Sequence, residues 1–187
     1  LESHPQHQLA MQQMSAGGNI MSFFVDGGRA QAHALLVAYD LDAGASPDSV
    51  ARLMRILSDD AARMTQGAPA LADLEPELVL NPSRLTITFG LGPGAFTKAG
   101  MTMPSDLAPI PPLKIDRLEE RWSDGDLLVQ ICGDDPTVVS HAHRMLFKDT
   151  RAFAKVRWQQ RGFLRAQGAY EPGSSPRNLM GQVDGTV

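Results

Sequence analysis

The chain has 187 residues, 43% of them hydrophobic, which suffices for one domain with a real core and falls short of two ordinary ones. With 20% charged residues, a formal net charge of −4 and scattered Lys and Arg, the composition is globular and excludes a basic nucleic-acid-binding face. No run approaches the ~18 apolar residues of a membrane span, and the single cysteine, Cys132, excludes an intrachain disulfide; inside an apolar run it reads as a buried, inert thiol.

Residues 1–30 mix Met11, Met14 and Met21 with Gln, Ser and Gly, and read as a flexible or extended N-terminal arm. Leu1-Glu2-Ser3 has neither part of a signal peptide, so an export signal is expected to be absent from this chain. Ala32–Tyr39 is an apolar run of strand length, expected to be buried on both faces. After a polar turn, Ser46-Pro47-Asp48 is a helix start: a capping hydroxyl, Pro at the first helical position and an acid in the first turn. Val50, Leu53, Met54, Leu57, Ala61 and Met64 follow as an apolar stripe, stopped by Gly67 and Pro69.

Arg84–Gly90 alternates apolar and polar residues as a second strand. Residues 91–125 are proline-rich and read as a long connection draped over the surface. Asp126–Gly133 is the third strand, and Asp134-Asp135-Pro136 opens a second helix with Val138, Val139, Ala142, Met145 and Leu146 on its apolar face. Ala154–Gln167 reads as a fourth strand, followed by a Gly-, Ser- and Pro-rich loop over 168–176. The order is β-α-β-β-α-β, the ferredoxin-like pattern, which places two helices on one face of a four-stranded antiparallel sheet in the α+β class. The organisation expected is an arm over 1–30, a ferredoxin-like domain over 31–170 and a loop over 171–187.

The closing segment Gly181-Gln182-Val183-Asp184-Gly185 sets one carboxylate between glycines. Gly185 would let a flat ligand approach the backbone, and amides beside Gly185 and Thr186 could donate to an anion such as a propionate. The bland reading is a surface Asp-Gly turn. His141 and His143 are two apart on a helix, point to nearly opposite sides and cannot share one metal. His33 reads as a structural histidine at the start of a strand, and His4 and His7 lie on the arm; no metal site is expected. Trp122, Trp158, Tyr39 and Tyr170 either relay electrons at the surface or simply pack.

The stretch Arg177 to Thr186, with its Gly181-Gln182-Val183-Asp184-Gly185 core, resembles the GxxDG region of dye-decolourising haem peroxidases. Three further segments resemble the same family in the same order: Ala32–Leu41, Leu85–Phe96 (LTITFGLGPGAF) and Gly125–Pro136 (GDLLVQICGDDP). The long GLGPG connection is most similar to the exported subgroup. The resemblance implies the first half of a dimeric α+β barrel, with haem b held in a second ferredoxin-like half. The proximal histidine and distal arginine are expected downstream of Val187, so the partner implied is the C-terminal half of the same protein. Asp184 is implied as the distal acid–base catalyst. It would take a proton from iron-bound hydrogen peroxide and return it to the departing oxygen, breaking the O–O bond heterolytically and oxidising the haem. An Asp does this only when ionised, so activity in an acidic range is expected. Asp184, Gly185 and Thr186 would border the cofactor, the last two through their backbone. Dyes and phenolic compounds would be the reductants, the location exported, and a homo-oligomer is left open. Two rival readings are a non-catalytic ferredoxin-like ligand-binding or assembly module, and a haem-handling, deferrochelatase-like protein acting on porphyrin.

Overall fold

The computed structural model describes residues 20–24, 30–105, 107, 111–165, 168–169, 171, 174–175 and 177–183, the first five as backbone. Its strands are β1 (Ile20–Phe24), β2 (His33–Leu41), β3 (Thr86–Leu91), β4 (Leu127–Gly133) and β5 (Ala154–Phe163); its helices are α1 (Pro47–Met64), α2 (Pro93–Ala99) and α3 (Pro136–Thr150). The strands form one antiparallel sheet in the order β1-β3-β4-β2-β5. Without β1 this is the ferredoxin-like order, with β4 inserted between β2 and β3. β1 lies within the segment read as an arm and, being extended, adds a fifth strand outside β3.

Alternation places one residue of each central strand on the same rung. Ile87, Ile131 and Leu35 form one row, and Phe89, Val129 and Val37 the next. All six are at most 1% exposed. They pack against the stripe of α1 (Val50, Leu53, Leu57, Ala61, Met64) and that of α3 (Val138, Val139, Ala142, Met145, Leu146). At roughly 1.5–3 kcal/mol per buried side chain, this face dominates the stability of the domain.

The opposite face is less covered than an apolar β2 suggested: Ala34 and Leu36 are only half-buried. Cys132 belongs to this face and is half-buried too. Burial still pushes its thiol pKa up, against hydrogen bonds with Gln130 and Thr86, so the thiol stays protonated. Ala38 is the exception, 1% exposed because Gly125 lies against it.

The helix starts are as the sequence indicates. The Ser46 hydroxyl accepts from the Ser49 amide (3.2 Å) and the Ser49 hydroxyl accepts from the Ser46 amide (2.8 Å). Asp135 caps α3 by accepting from the Thr137 amide at 2.7 Å. Elsewhere the structure departs from the expected limits. β3 begins at Thr86 instead of Arg84, because Ser83 and Arg84 hold positive φ (49° and 56°). That turn delivers the Arg84 guanidinium to Asp134 at 2.7 Å. β5 ends at Phe163, short of Gln167. The long connection also contains α2, whose Pro93 start and left-handed Gly100 cap are helix punctuation inside a loop-like composition.

Three of the segments that carry the family resemblance interlock here. The Gly92 amide donates to the Asp126 carbonyl (2.9 Å), and the Asp126 amide donates to the Tyr39 carbonyl (2.8 Å). The buried Asp126 carboxylate accepts from the Leu41 amide (2.7 Å) and from Lys98 of α2 (2.6 Å). A Cβ on Gly92 or Gly94 would overlap Gly125 or Asp126. The glycines of Gly92-Pro93-Gly94 are thus required by close backbone approach.

Candidate functional site

Asp184, Gly185 and Thr186 lie outside the described residues, as do Tyr170, His4 and His7. The chain that delivers Asp184 is described. Arg177 and Val183 pair as an antiparallel bridge, closed by the Asn178 amide donating to the Gln182 carbonyl at 2.8 Å and the Gly181 amide donating to the Asn178 carbonyl at 2.9 Å. The Asn178 side-chain oxygen accepts from the Met180 amide (3.0 Å) and the Gln182 amide (3.1 Å). Arg177 Nη1 donates to the Gly181 carbonyl at 2.7 Å. Gly181, the first glycine of the motif, has φ +87°, a left-handed conformation that glycine adopts without steric cost. The hairpin turns Leu179 (90% exposed), Met180 (89%) and Val183 (54%) outward.

The histidines on α3 diverge as their spacing requires. His141 is buried, and its Nε2 lies 2.8 Å from Asp73 Oδ2. Its Nδ1 lies 3.0 Å from Arg144 Nη2. Arginine can only donate, so Nδ1 accepts and the Nε2 proton goes to Asp73. Burial opposes charge on Asp73, but the hydrogen bonds from His141 and the Glu75 amide outweigh it and hold its carboxyl below the usual range. Asp73, Glu75 and His141 lie within reach of one cation. Arg144, also paired with Glu75, already supplies the positive charge there, so the cluster works as a clamp between α3 and the loop after α1.

His143 faces the other way, into an open groove of about 770 Å³ between α3 and β5, lined also by Trp122, Phe147, Val156 and Trp158. Its Nε2 is buried without a hydrogen-bond partner, and burial with the nearby Arg161 charge lowers its pKa. Both groove arginines are committed: Arg121 to Glu119, and Arg157 to Asp40 and the Ser123 carbonyl. A bulge between Ala38 and Tyr39 turns Arg157 to that position. Of the aromatic residues considered as relays, Tyr39 is core, 1% exposed, whereas Trp122 is 50% exposed and Trp158 is half-buried with Nε1 donating to the Asp124 carbonyl (2.8 Å).

A carboxyl pair escaped the reading of the sequence. Asp60 of α1 and Asp149 of α3 meet between the helices. Burial, then the Asp60 charge and their hydrogen bond, pushes the Asp149 pKa up to about 7. Burial raises Asp60 as well, against the Leu71 amide that donates to it at 2.9 Å. The pair shares a proton near neutrality. Part of its signal was present: Asp60 sits among the buried apolar residues of α1, and Asp149 lies at helical spacing from Ala142 and Met145 of α3.

Comparison with known proteins identifies the frame that carries these residues. The family described as "Dyp-type peroxidase, N-terminal" matches residues 28–164. The chain belongs to the DyP-type peroxidase family. A dye-decolorizing peroxidase of Thermobifida fusca is 36% identical over 170 residues, 86% of this chain and 40% of the relative. The deferrochelatase of Escherichia coli K12 is 34% identical over 171 residues, 84% of this chain and 40% of the relative. Among solved structures, the DyP-type peroxidase of Cellulomonas bogoriensis superposes with a TM-score of 0.79 at 50% identity, covering 84% of this chain and 44% of that one. The chain therefore spans less than half the length of the relatives it matches. DyP-type peroxidases are haem proteins, and a Streptomyces lividans relative, 44% identical with a TM-score of 0.78, was solved in its ferric form.

On the hairpin before Asp184, the exposed Leu179, Met180 and Val183 form an apolar rim of the kind a flat porphyrin can pack on, and both nitrogens of His141 are already hydrogen-bonded.

Proposed function

We propose that this DyP-type domain serves as the N-terminal half of an exported haem b peroxidase that uses hydrogen peroxide to oxidise dyes and phenolic compounds. The observation that carries the reading is the GxxDG segment, emerging from a hydrogen-bonded hairpin on a domain that matches the family over residues 28–164. Asp184 is the acid–base group: ionised, it accepts a proton from peroxide and returns it to the departing oxygen. The backbone at Gly185 and Thr186 borders the haem edge. The haem, held by a histidine of the C-terminal half, would carry the oxidising equivalents that hydrogen peroxide supplies. Trp122 and Trp158, on the groove wall, are the described aromatics best placed to meet a bulky reductant.

The test is the visible absorption spectrum of the complete protein before and after peroxide, for the unaltered sequence and for Asp184→Asn. A Soret band that shifts with peroxide, and shifts at least ~100-fold more slowly in the variant, is expected for an essential acid–base group. An unchanged rate in the variant removes Asp184 from its role. The Escherichia coli relative named a deferrochelatase favours a second reading, in which the same site releases iron from haem. Product analysis separates the two, since that reaction yields metal-free porphyrin.

A further inference from the structure

We infer that the groove between α3 and β5 is a binding site for an uncharged, planar aromatic molecule carrying a hydroxyl group, and that His143 is the residue that selects the hydroxyl. Every protein group involved lies among the described residues, and neither Asp184 nor the haem takes part.

The groove has the size and the chemistry of a small-molecule site. Its volume, about 770 Å³, falls in the usual range for such sites. Trp122, Phe147, Val156 and Trp158 give it an apolar, largely aromatic wall. Three of them, Trp122, Phe147 and Val156, are 50%, 44% and 40% exposed, so large apolar side chains face water together here. The polar groups around them are committed within the fold. Trp158 Nε1 donates to the Asp124 carbonyl at 2.8 Å, and Arg121 and Arg157 pair with Glu119 and Asp40. Aromatic surface whose neighbouring charges are already matched suits an uncharged ring.

One polar atom stands apart. His143 Nε2 is buried and has no hydrogen-bond partner among the described residues. A buried polar atom left unpaired is costly, so a ligand group that reaches it gains more than an average hydrogen bond gives. Burial and the Arg161 charge lower the His143 pKa, which favours the neutral ring. In a neutral ring Nε2 is a donor or an acceptor according to the tautomer, and a hydroxyl serves either, because it both donates and accepts. The approach is past Phe147, whose ring centroid lies 6.3 Å from that of His143. Exposed side chains change rotamer within nanoseconds, so this ring can turn aside for a ligand.

The experiment uses the complete haem-loaded protein without peroxide, so that nothing is turned over, and measures binding of 2-naphthol, naphthalene and a naphthol sulfonate by equilibrium dialysis. The unaltered protein is expected to bind 2-naphthol ~10-fold more tightly than naphthalene. His143→Phe keeps the aromatic bulk and is expected to abolish that preference while leaving naphthalene binding intact. Trp122→Ala is expected to weaken both ligands by about 3- to 10-fold and to keep the preference. A preference for 2-naphthol that survives in His143→Phe overturns the assignment. So does tighter binding of the sulfonate than of 2-naphthol, or the absence of binding, which would follow if the C-terminal half covered the groove. Where His143→Phe does not fold, Trp122→Ala decides, and undiminished binding in that variant overturns the site. An unaltered peroxide rate in Asp184→Asn removes the peroxidase reading and leaves these binding results standing.

Discussion

Replacing Gly125 by Ala tests the interlock between the glycine-rich connection and the start of β4. Gly125 has φ +139°, which L residues rarely adopt, and a Cβ there would lie 3.0 Å from Ala38 Cβ and 3.6 Å from the Tyr39 carbonyl. The backbone strain costs about 1–3 kcal/mol. Ordinary carbon contact lies near ~3.5–4.0 Å, so the strand must also give by about half an ångström, which adds roughly 1 kcal/mol. The next residue, Asp126, is tied to Tyr39, Leu41, Gly92 and Lys98, so the strain cannot relax without stretching those bonds. The expected loss is about 2–4 kcal/mol, a fall of roughly 1–2 M in the urea midpoint at a slope of ~2 kcal/mol/M. Gly44→Ala is the control, because nothing lies within 4 Å of its added Cβ. If Gly125→Ala shifts the midpoint no more than Gly44→Ala, the interlock does not constrain this position.

The carboxyl pair predicts a pH dependence of stability. The folded Asp149 pKa, about 7, exceeds its unfolded value near 3.8, so folded protein binds the extra proton. The pair's contribution to stability is full below about pH 4 and is lost as pH rises through about 7. Each tenfold difference in proton affinity between folded and unfolded states is worth ~1.4 kcal/mol, so the whole decline amounts to a few kcal/mol at most. Asp149→Asn should flatten this decline and exceed the unaltered chain in stability at pH 8 but not at pH 4; equal urea midpoints for both at pH 8 would rule the pair out. His141→Ala leaves the Asp73 carboxylate, whose side chain is 0% exposed, without its partner, and should cost about 3 kcal/mol by denaturant titration. A loss under ~1 kcal/mol would show that Arg144 or water takes over the bond.

The central strands and both long helices were legible because periodicity and caps agree. Val50 through Met64 spell one helical stripe, and Ser46 and Asp135 cap where their side chains can bond backward. β1 was not legible as a strand, because its pairing with β3 is set by residues more than sixty positions away and not by local alternation. α2 was hidden by the proline and glycine that begin and end it. The Asp73–His141 clamp joins an aperiodic loop to a helix, a contact that only tertiary packing creates. For the candidate site, resemblance pointed to Asp184, but the hydrogen bonds of Asn178 within the hairpin before it are announced by no residue spacing.

The interlock also bears on how the sequence can vary. Leu91 and Leu127 are register partners, so the connection between β3 and β4 leaves and re-enters the sheet at one place. Gly92, Lys98, Gly125 and Asp126 tie its two ends to each other and to β2. Lengthening a loop whose ends are already clamped costs only ~0.6 kcal/mol per doubling. The stretch around residues 111–118, exposed throughout, can therefore be extended, shortened or rewritten without moving a strand. The glycines that close it act as a hem, leaving the fabric between them open to evolutionary change and to the insertion of new surface.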